Sequence, residues 1–256
     1  MTETTIGLLH PGEMGAAVGK CLAGAGHRVL WVPEGRRAAT RERAEAAGLT
    51  GVTLAEIIAR SDVILSVCPP HAALDVAHLV AGFGGLYLDA NAIAPATAAE
   101  VAAIVTGGGA GYVDGGIIGP PPLAPGTTRL YLSGLRAAEA RALFGGTDVD
   151  ARVVSPPGTA SAVKMAYASW TKGSAALLLA ARALARAEGV DSVLLEEWGL
   201  SQPGLEKRWD GADRSAAAKG WRWTGEMEEI AAAMAAAGLP EGFHQAAAEI
   251  YRRYQQ

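Results

Sequence analysis

The feature that most restricts the fold of this chain is a change of texture near Gly158. Before it, short apolar runs alternate with helical stretches; after it, every periodic stretch is helical. The alternation starts at once. Residues 4–10 are an apolar run stopped by Pro11-Gly12, residues 14–25 carry a helical pattern, Gly26-His27 punctuates, and residues 29–32 read as a second strand. This is a βαβ unit of about 30 residues. Helices over 38–47, 54–59 and 136–144 and apolar strands over 63–67, 86–89, 112–114, 129–133 and 152–154 continue the pattern. From Gly158 a long helical stretch runs to about residue 187 with only Gly173 interrupting, and further helical segments lie near 193–198, 223–237 and 243–254.

Strands alternating with helices build a mainly parallel sheet. The chain is therefore expected to be α/β: an N-terminal Rossmann-like doubly wound sheet over residues 1–157, then an all-helical C-terminal domain over residues 158–256. With 256 residues, half of them hydrophobic and 19% charged, it can bury a sizeable core and is globular. A net charge of −4 leaves no basic footprint for nucleic acid. Cys21 and Cys68 have no metal-ligand spacing, so neither a metal site nor a disulfide framework is expected. The opening Met1-Thr2-Glu3-Thr4 is polar and acidic, unlike a signal peptide, and Arg182 and Arg186 interrupt the most apolar helical run. A soluble, cytoplasmic protein without a membrane span is the expectation.

Chemistry enters at the first turn, His10-Pro11-Gly12-Glu13-Met14-Gly15. A dinucleotide-binding turn reads G-x-G-x-x-G, its glycines permitting the tight turn, the approach of a pyrophosphate and close helix packing. Gly12 and Gly15 fill the second and third places, and His10 stands at the first. The helix that begins near Met14 offers N–H groups and a positive dipole end to a phosphate; the alternative is a plain strand–helix turn. Behind the second strand come Glu34, Arg36, Arg37 and Arg41. An acidic residue there suits ribose hydroxyls and an arginine a 2′-phosphate. NADP is thus expected ahead of NAD, against the alternative of a solvated helix start. The third apolar strand runs into Cys68-Pro69-Pro70-His71, outside a strand's carboxyl end, where open α/β sheets bind ligands. His71 is either catalytic or an exposed helix-start residue. Residues 115–122 form a loop rich in Gly and Pro, either open to a ligand or a rigid connector. Lys164 stands in an apolar, Ala-rich segment and is costly to bury; it either snorkels to solvent or has a task. Trp221-Arg222-Trp223 either lines an active-site mouth or packs a dimer interface.

The order of these pieces resembles the β-hydroxyacid dehydrogenase / 6-phosphogluconate dehydrogenase-like superfamily over nearly the whole chain. His10-Pro11-Gly12-Glu13-Met14-Gly15 is similar to the family's G-x-G-x-M-G cofactor loop, and Asp89 through Pro95 to its D-x-S-T-x-x-P, with Asn91 at a usual hydroxyl position. Asp114-Gly115-Gly116-Ile117-Ile118-Gly119-Pro120 is similar to its D-A-P-V-S-G-G substrate loop, and Gly158 through Lys164 to its G-x-G-x-x-x-K, with Ala160 at the second Gly. Gly225-Glu226-Met227 replaces its late Lys-Asp pair. The tail looks like that of a short, uncharacterised subgroup with a W-R-x-x-x-E-M-x-E signature, here Trp221, Arg222, Glu226, Met227 and Glu229.

The resemblance implies an NADP-dependent oxidoreductase that moves hydride between nicotinamide and a small hydroxy acid or related carbonyl compound, with Lys164 as general acid/base. Cofactor contacts are expected from His10, Pro11, Gly12, Glu13, Met14, Gly15, Glu34, Arg36, Arg37, Cys68, Pro69, Pro70 and Asn91. Substrate contacts are expected from Ile118, Gly119, Pro120, Ala168, Trp221 and Arg222, in a cleft between the domains of an intertwined homodimer. Two departures bear on the substrate. Ile118 replaces the family's substrate-loop Ser, and Ala168 the Asn one turn past its Lys. Either Asn91, Thr171, Lys172 or Arg222 holds a carboxylate instead, or the substrate is less polar. Imine reductases share the architecture but commonly carry Asp or Tyr where Lys164 stands. A catalytically silent NADP-binding sensor is the other alternative.

Overall fold

The structure, a computed structural model, describes residues 3–255; Met1 and Thr2, at the polar opening of the chain, and Gln256 lie outside them. The chain divides into two compact units, Met1–Lys164 and Met165–Gln256. The first turn of the long helix, which ends the first unit, is hydrogen-bonded into the sheet.

The first unit runs β1 (Thr5–Leu8), α1 (Glu13–Gly24), β2 (Arg28–Trp31), α2 (Ala38–Ala46), β3 (Thr50–Gly51), α3 (Leu54–Arg60) and β4 (Val63–Ser66). It continues with α4 (Ala73–Leu79), β5 (Leu86–Asp89), α5 (Pro95–Gly107), β6 (Gly111–Ile118), β7 (Thr128–Ser133), α6 (Ala137–Ala142) and β8 (Val149–Val153). The strands make one eight-stranded sheet in the order β3-β2-β1-β4-β5-β6-β7-β8. All pairs are parallel except β6–β7. The order reverses at β1, where Ile6 pairs with Val29 on one side and Val63 on the other.

Helices cover both faces, so the central strands read as continuous apolar runs rather than alternating ones. All four residues of β4 are buried. Ile6, Leu8, Val29, Trp31, Leu65 and Leu88 face one core layer, which α1 completes with Val18 and Leu22. The residues between them, Leu30, Ile64 and Tyr87, face the other with Ile57, Val76 and Val101. This is the period-2 alternation of a strand, both sides apolar. Thr53 caps α3 in a reciprocal box with Glu56.

One expectation is corrected here. Residues 115–118 were expected in a loop, but they extend β6 and pair with β7 from Gly115↔Leu132 to Ile118↔Arg129. Glycine is a poor strand former, and its presence here has a packing cause. A Cβ at Gly115 would lie 2.6 Å from the Asp89 carbonyl oxygen, too close for any side chain.

The second unit is helical: the remainder of α7 (Thr159–Ala187), then α8 (Asp191–Ser201), α9 (Leu205–Ala236) and α10 (Gly242–Arg252). α9 includes residues 205–222, ahead of the helix expected from residue 223. Its buried stripe there is Trp209, Ala212, Ala216 and Gly220, residues three and four apart, of which the last three are too small to register as apolar periodicity. α10 packs on α9 through Tyr251, whose ring meets Trp223 edge-on at 5.2 Å. The Tyr251 hydroxyl donates to the Lys172 carbonyl of α7 at 2.6 Å. Arg182 stacks on Trp209 at 3.9 Å and pairs with Asp191. No described helix is long and apolar enough to cross a membrane.

Candidate functional site

The turn after β1 lies where the strand order reverses, the position at which open α/β sheets bind ligands. Gly12 is the N-cap of α1 and no side chain caps the helix; a helix start carries the positive end of the dipole. A Cβ at Gly12 would meet no protein atom within 4 Å, whereas one at Gly15 would lie 2.2 Å from the His10 carbonyl oxygen. Gly12 thus leaves room outside the turn, and Gly15 allows α1 to lie against β1. Met14 is half-buried, Pro11 buried and Glu13 exposed.

His10, at the missing first glycine, is largely enclosed. Burial, and then the Arg36 guanidinium, push its pKa down to about 4, so the ring is neutral near neutral pH. Arg36 folds back onto the turn and donates through Nη2 to the Leu9 carbonyl at 3.2 Å. Arg36 Nε and His10 Nδ1 are both buried without a hydrogen-bond partner. A buried donor without an acceptor is costly. Arg43 of α2, which no sequence motif singled out, donates to the Pro11 carbonyl at 3.4 Å. Nothing local signals that contact, since 32 residues separate the pair. Glu34 and Arg37 are exposed beside them.

The next strand ends are tied together by Asn91, which is 2% exposed. Its Oδ1 accepts the Cys68 N–H at 2.6 Å, its Nδ2 donates to Ser66 Oγ at 3.0 Å, and its N–H donates to Asp89 at 3.0 Å. Both ends of the amide are occupied by protein, so Asn91 shapes the Cys68-Pro69-Pro70 loop from within. Burial, with Asp89 nearby, raises the Cys68 thiol to about 12, which keeps it protonated. His71 is exposed on the short helical turn that opens α4.

Asp89 itself is fully enclosed. Desolvation raises its pKa to about 7, while hydrogen bonds from the Asn91 N–H and the Tyr112 hydroxyl partly offset the rise. In the unfolded chain an Asp titrates near ~4. A raised carboxyl binds its proton more tightly when folded, so its stabilisation is complete below about pH 4 and lost as pH rises through about 7. Relative to wild type, Asp89→Asn should therefore gain a few kcal/mol of stability between about pH 4.5 and about pH 8, roughly the size of such a shift. Thermal melts of both proteins across that range test it; a constant difference contradicts it.

Beyond β5, β6 carries the third part of the site. Lys164, in the second turn of α7, is half-buried and donates from Nζ to the Ile117 carbonyl at 2.8 Å. It is held, not extended into solvent. Gly116 makes the approach possible: a Cβ there would lie 2.8 Å from the Ala160 carbonyl oxygen and 3.0 Å from Lys164 Cβ. Ile118 is buried on the same side of the strand as Gly116, and Gly119 and Pro120 are exposed where β6 ends.

The other residues expected at the site belong to the second unit. Ala168 is buried, and Trp221 is 57% exposed. Arg222 pairs with Glu226 at 3.7 Å, and Lys172 reaches the same carboxylate, which is 5% exposed. Trp223 packs inside the unit against Tyr251 and Lys172. Among the described residues, no group of three or more His, Cys, Asp or Glu could hold a metal ion.

Residues 1–78 match the family described as D-isomer specific 2-hydroxyacid dehydrogenase, NAD binding domain. Residues 185–254 match a domain of unknown function, DUF1932. No curated protein matches the chain. Among solved structures, the conserved protein MTH1747 of unknown function, described as similar to 3-hydroxyacid dehydrogenases, is 25% identical, with 98% of this chain and 96% of that one covered and a TM-score of 0.68. The 3-hydroxyisobutyrate dehydrogenase of Mycobacterium tuberculosis is 21% identical over 99% and 94% of the two chains, with a TM-score of 0.71. The reductive aminase of Aspergillus terreus is 22% identical over 98% and 93%, with a TM-score of 0.61. The last two likenesses show the fold. The chain thus joins an NAD-binding domain of the 2-hydroxyacid dehydrogenase type to a distinct C-terminal domain, in a fold it shares with proteins similar to 3-hydroxyacid dehydrogenases.

Proposed function

We propose that the protein transfers hydride between NADP and a small carbonyl or hydroxy compound, with Lys164 as general acid/base. The observation that carries this reading is the position of the Lys164 ammonium, 2.8 Å from the Ile117 carbonyl. Ile117 lies on the part of β6 that runs past the last β5 pair, Asp89↔Asp114. That is the carboxyl side of the parallel strands, the side that also carries the turn from His10 to Gly15. When bound, the cofactor supplies or accepts the hydride. In the reducing direction Lys164 gives a proton to the carbonyl oxygen; in the oxidising direction its neutral amine takes the hydroxyl proton. The Ile117 carbonyl fixes where that amine points.

Glu13, Met14 and Gly15 would hold the pyrophosphate through backbone N–H groups, and Gly12, whose own N–H is given to the His10 carbonyl at 2.9 Å, would leave it room to approach. Arg36 and Arg37, which follow β2, would take the 2′-phosphate. The apolar Ile118 supports a carbonyl substrate of low polarity over a small hydroxy acid. Imines belong in the same assay, because the reductive aminase shares the fold. In fluorescence titrations NADPH should bind about tenfold or more tightly than NADH, the worth of one charge-assisted contact, and Arg37→Ala should remove most of that preference. Tighter binding of NADH refutes the NADP assignment. NADPH consumption with a panel of 2- and 3-oxo acids, semialdehydes and cyclic imines separates the substrate classes. No turnover with any of them, despite NADPH binding, would support the silent sensor.

A further inference from the structure

We infer that Asp114, acting with Ser133 and Ser161, is a positioning residue that sets where the Lys164 amine stands. The inference rests on the reading of Lys164 given above. Asp114 is 3% exposed and lies opposite Ser133 in the β6–β7 pair. Its carboxylate accepts three hydrogen bonds: from Ser133 Oγ at 2.8 Å, from the Ser161 N–H at 3.0 Å and from the Ser161 hydroxyl at 2.5 Å. Ser133 Oγ in turn accepts the N–H groups of Gly158 and Ala160 at 3.1 and 3.2 Å. Two side chains of the sheet thereby take the N–H groups that the start of a helix leaves without intrahelical partners. The negative charge also sits at the positive end of the α7 dipole, where it is favourable.

This cap differs from an ordinary one in the lysine it carries. Lys164 is one turn beyond Ser161, and its Nζ returns to β6 at Ile117, three residues after Asp114. Gly116, on the same face of the strand as Asp114, leaves α7 room to lie against β6. One strand therefore anchors the helix start, admits the helix and receives the ammonium. A shift at Asp114 is transmitted to Lys164 over a single turn. Misplacement of a reacting group by about an ångström costs on the order of 100-fold in rate, so a partial loosening should be visible in turnover.

The test compares wild type, Asp114→Asn, Ser161→Ala and Lys164→Met as full-length proteins with NADPH and the best substrate of the panel. Asp114→Asn should lower kcat by about tenfold or more and Ser161→Ala by a few-fold, with KM and NADPH affinity little changed. The solvent deuterium isotope effect on kcat should rise in both, because proton transfer from a misplaced amine becomes more rate-limiting; a role in folding alone leaves it unmoved. If Asp114→Asn does not fold, Ser161→Ala, which deletes one hydroxyl, decides. Wild-type kcat and isotope effect in the folded variants overturn the inference while Lys164→Met remains inactive. Full activity of Lys164→Met instead overturns the reading on which it rests.

Discussion

Lys164→Met is expected to lose about 10²–10⁴ of kcat, the usual worth of a positioned general acid or base, while still binding NADPH. Met retains an unbranched apolar stem and removes the ammonium that meets the Ile117 carbonyl. The helix start is held by Asp114 and Ser133 rather than by the lysine, so the fold should survive. NADPH titration should give the wild-type affinity, because the turn from His10 to Gly15 is untouched. A variant that keeps more than about a tenth of wild-type turnover would leave the proton transfer to another group.

The second large effect separates two glycines of one turn. Gly12→Ala should fold and melt as wild type, since its Cβ meets no protein atom within 4 Å and its φ of −66° suits any residue. The methyl group instead occupies the space through which a pyrophosphate approaches the backbone, so NADPH affinity should fall by about tenfold or more, a loss near ~1.4 kcal/mol. Gly15→Ala puts a Cβ 2.2 Å from the His10 carbonyl oxygen. Both atoms belong to rigid backbone, so α1 must move away from β1. Overpacking of this kind costs about 1–3 kcal/mol. Gly15→Ala should therefore lower both the melting temperature and the affinity. Equal behaviour of the two variants contradicts this division of roles.

The dinucleotide-binding half was legible because its signals are local. An apolar strand, Pro11-Gly12 and a helical repeat succeed one another within the first 25 residues, and the burial of each matches its pattern. The features that escaped are written in tertiary contacts. The end of β6 looked like a loop because its glycines report the closeness of Asp89 and Ala160, neighbours that no sequence window contains. The first half of α9 was missed because, after Trp209, only Ala and Gly make its buried stripe. Asn91 was expected at the cofactor, and that its amide also ties Ser66 to Cys68 is written only in contacts 23 and 25 residues apart. Asp114 was only a letter in a motif. Its partners Ser133 and Ser161 lie 19 and 47 residues away, and only the paired strands and the returning helix bring the three together. Lys164 stood out for the opposite reason: a lone charge in an apolar helix is visible from sequence, and its hydrogen bond to Ile117 accounts for its being there.

The most direct test of the account is the transfer of deuterium from C4-deuterated NADPH, of each stereochemistry, to a carbonyl or imine acceptor, with mass spectrometry of the product. The account predicts that one deuterium appears on the reduced carbon with wild-type protein, and that transfer slows by about 10²-fold or more with Lys164→Met at the same NADPH occupancy. Label transfer by Lys164→Met at the wild-type rate would contradict it.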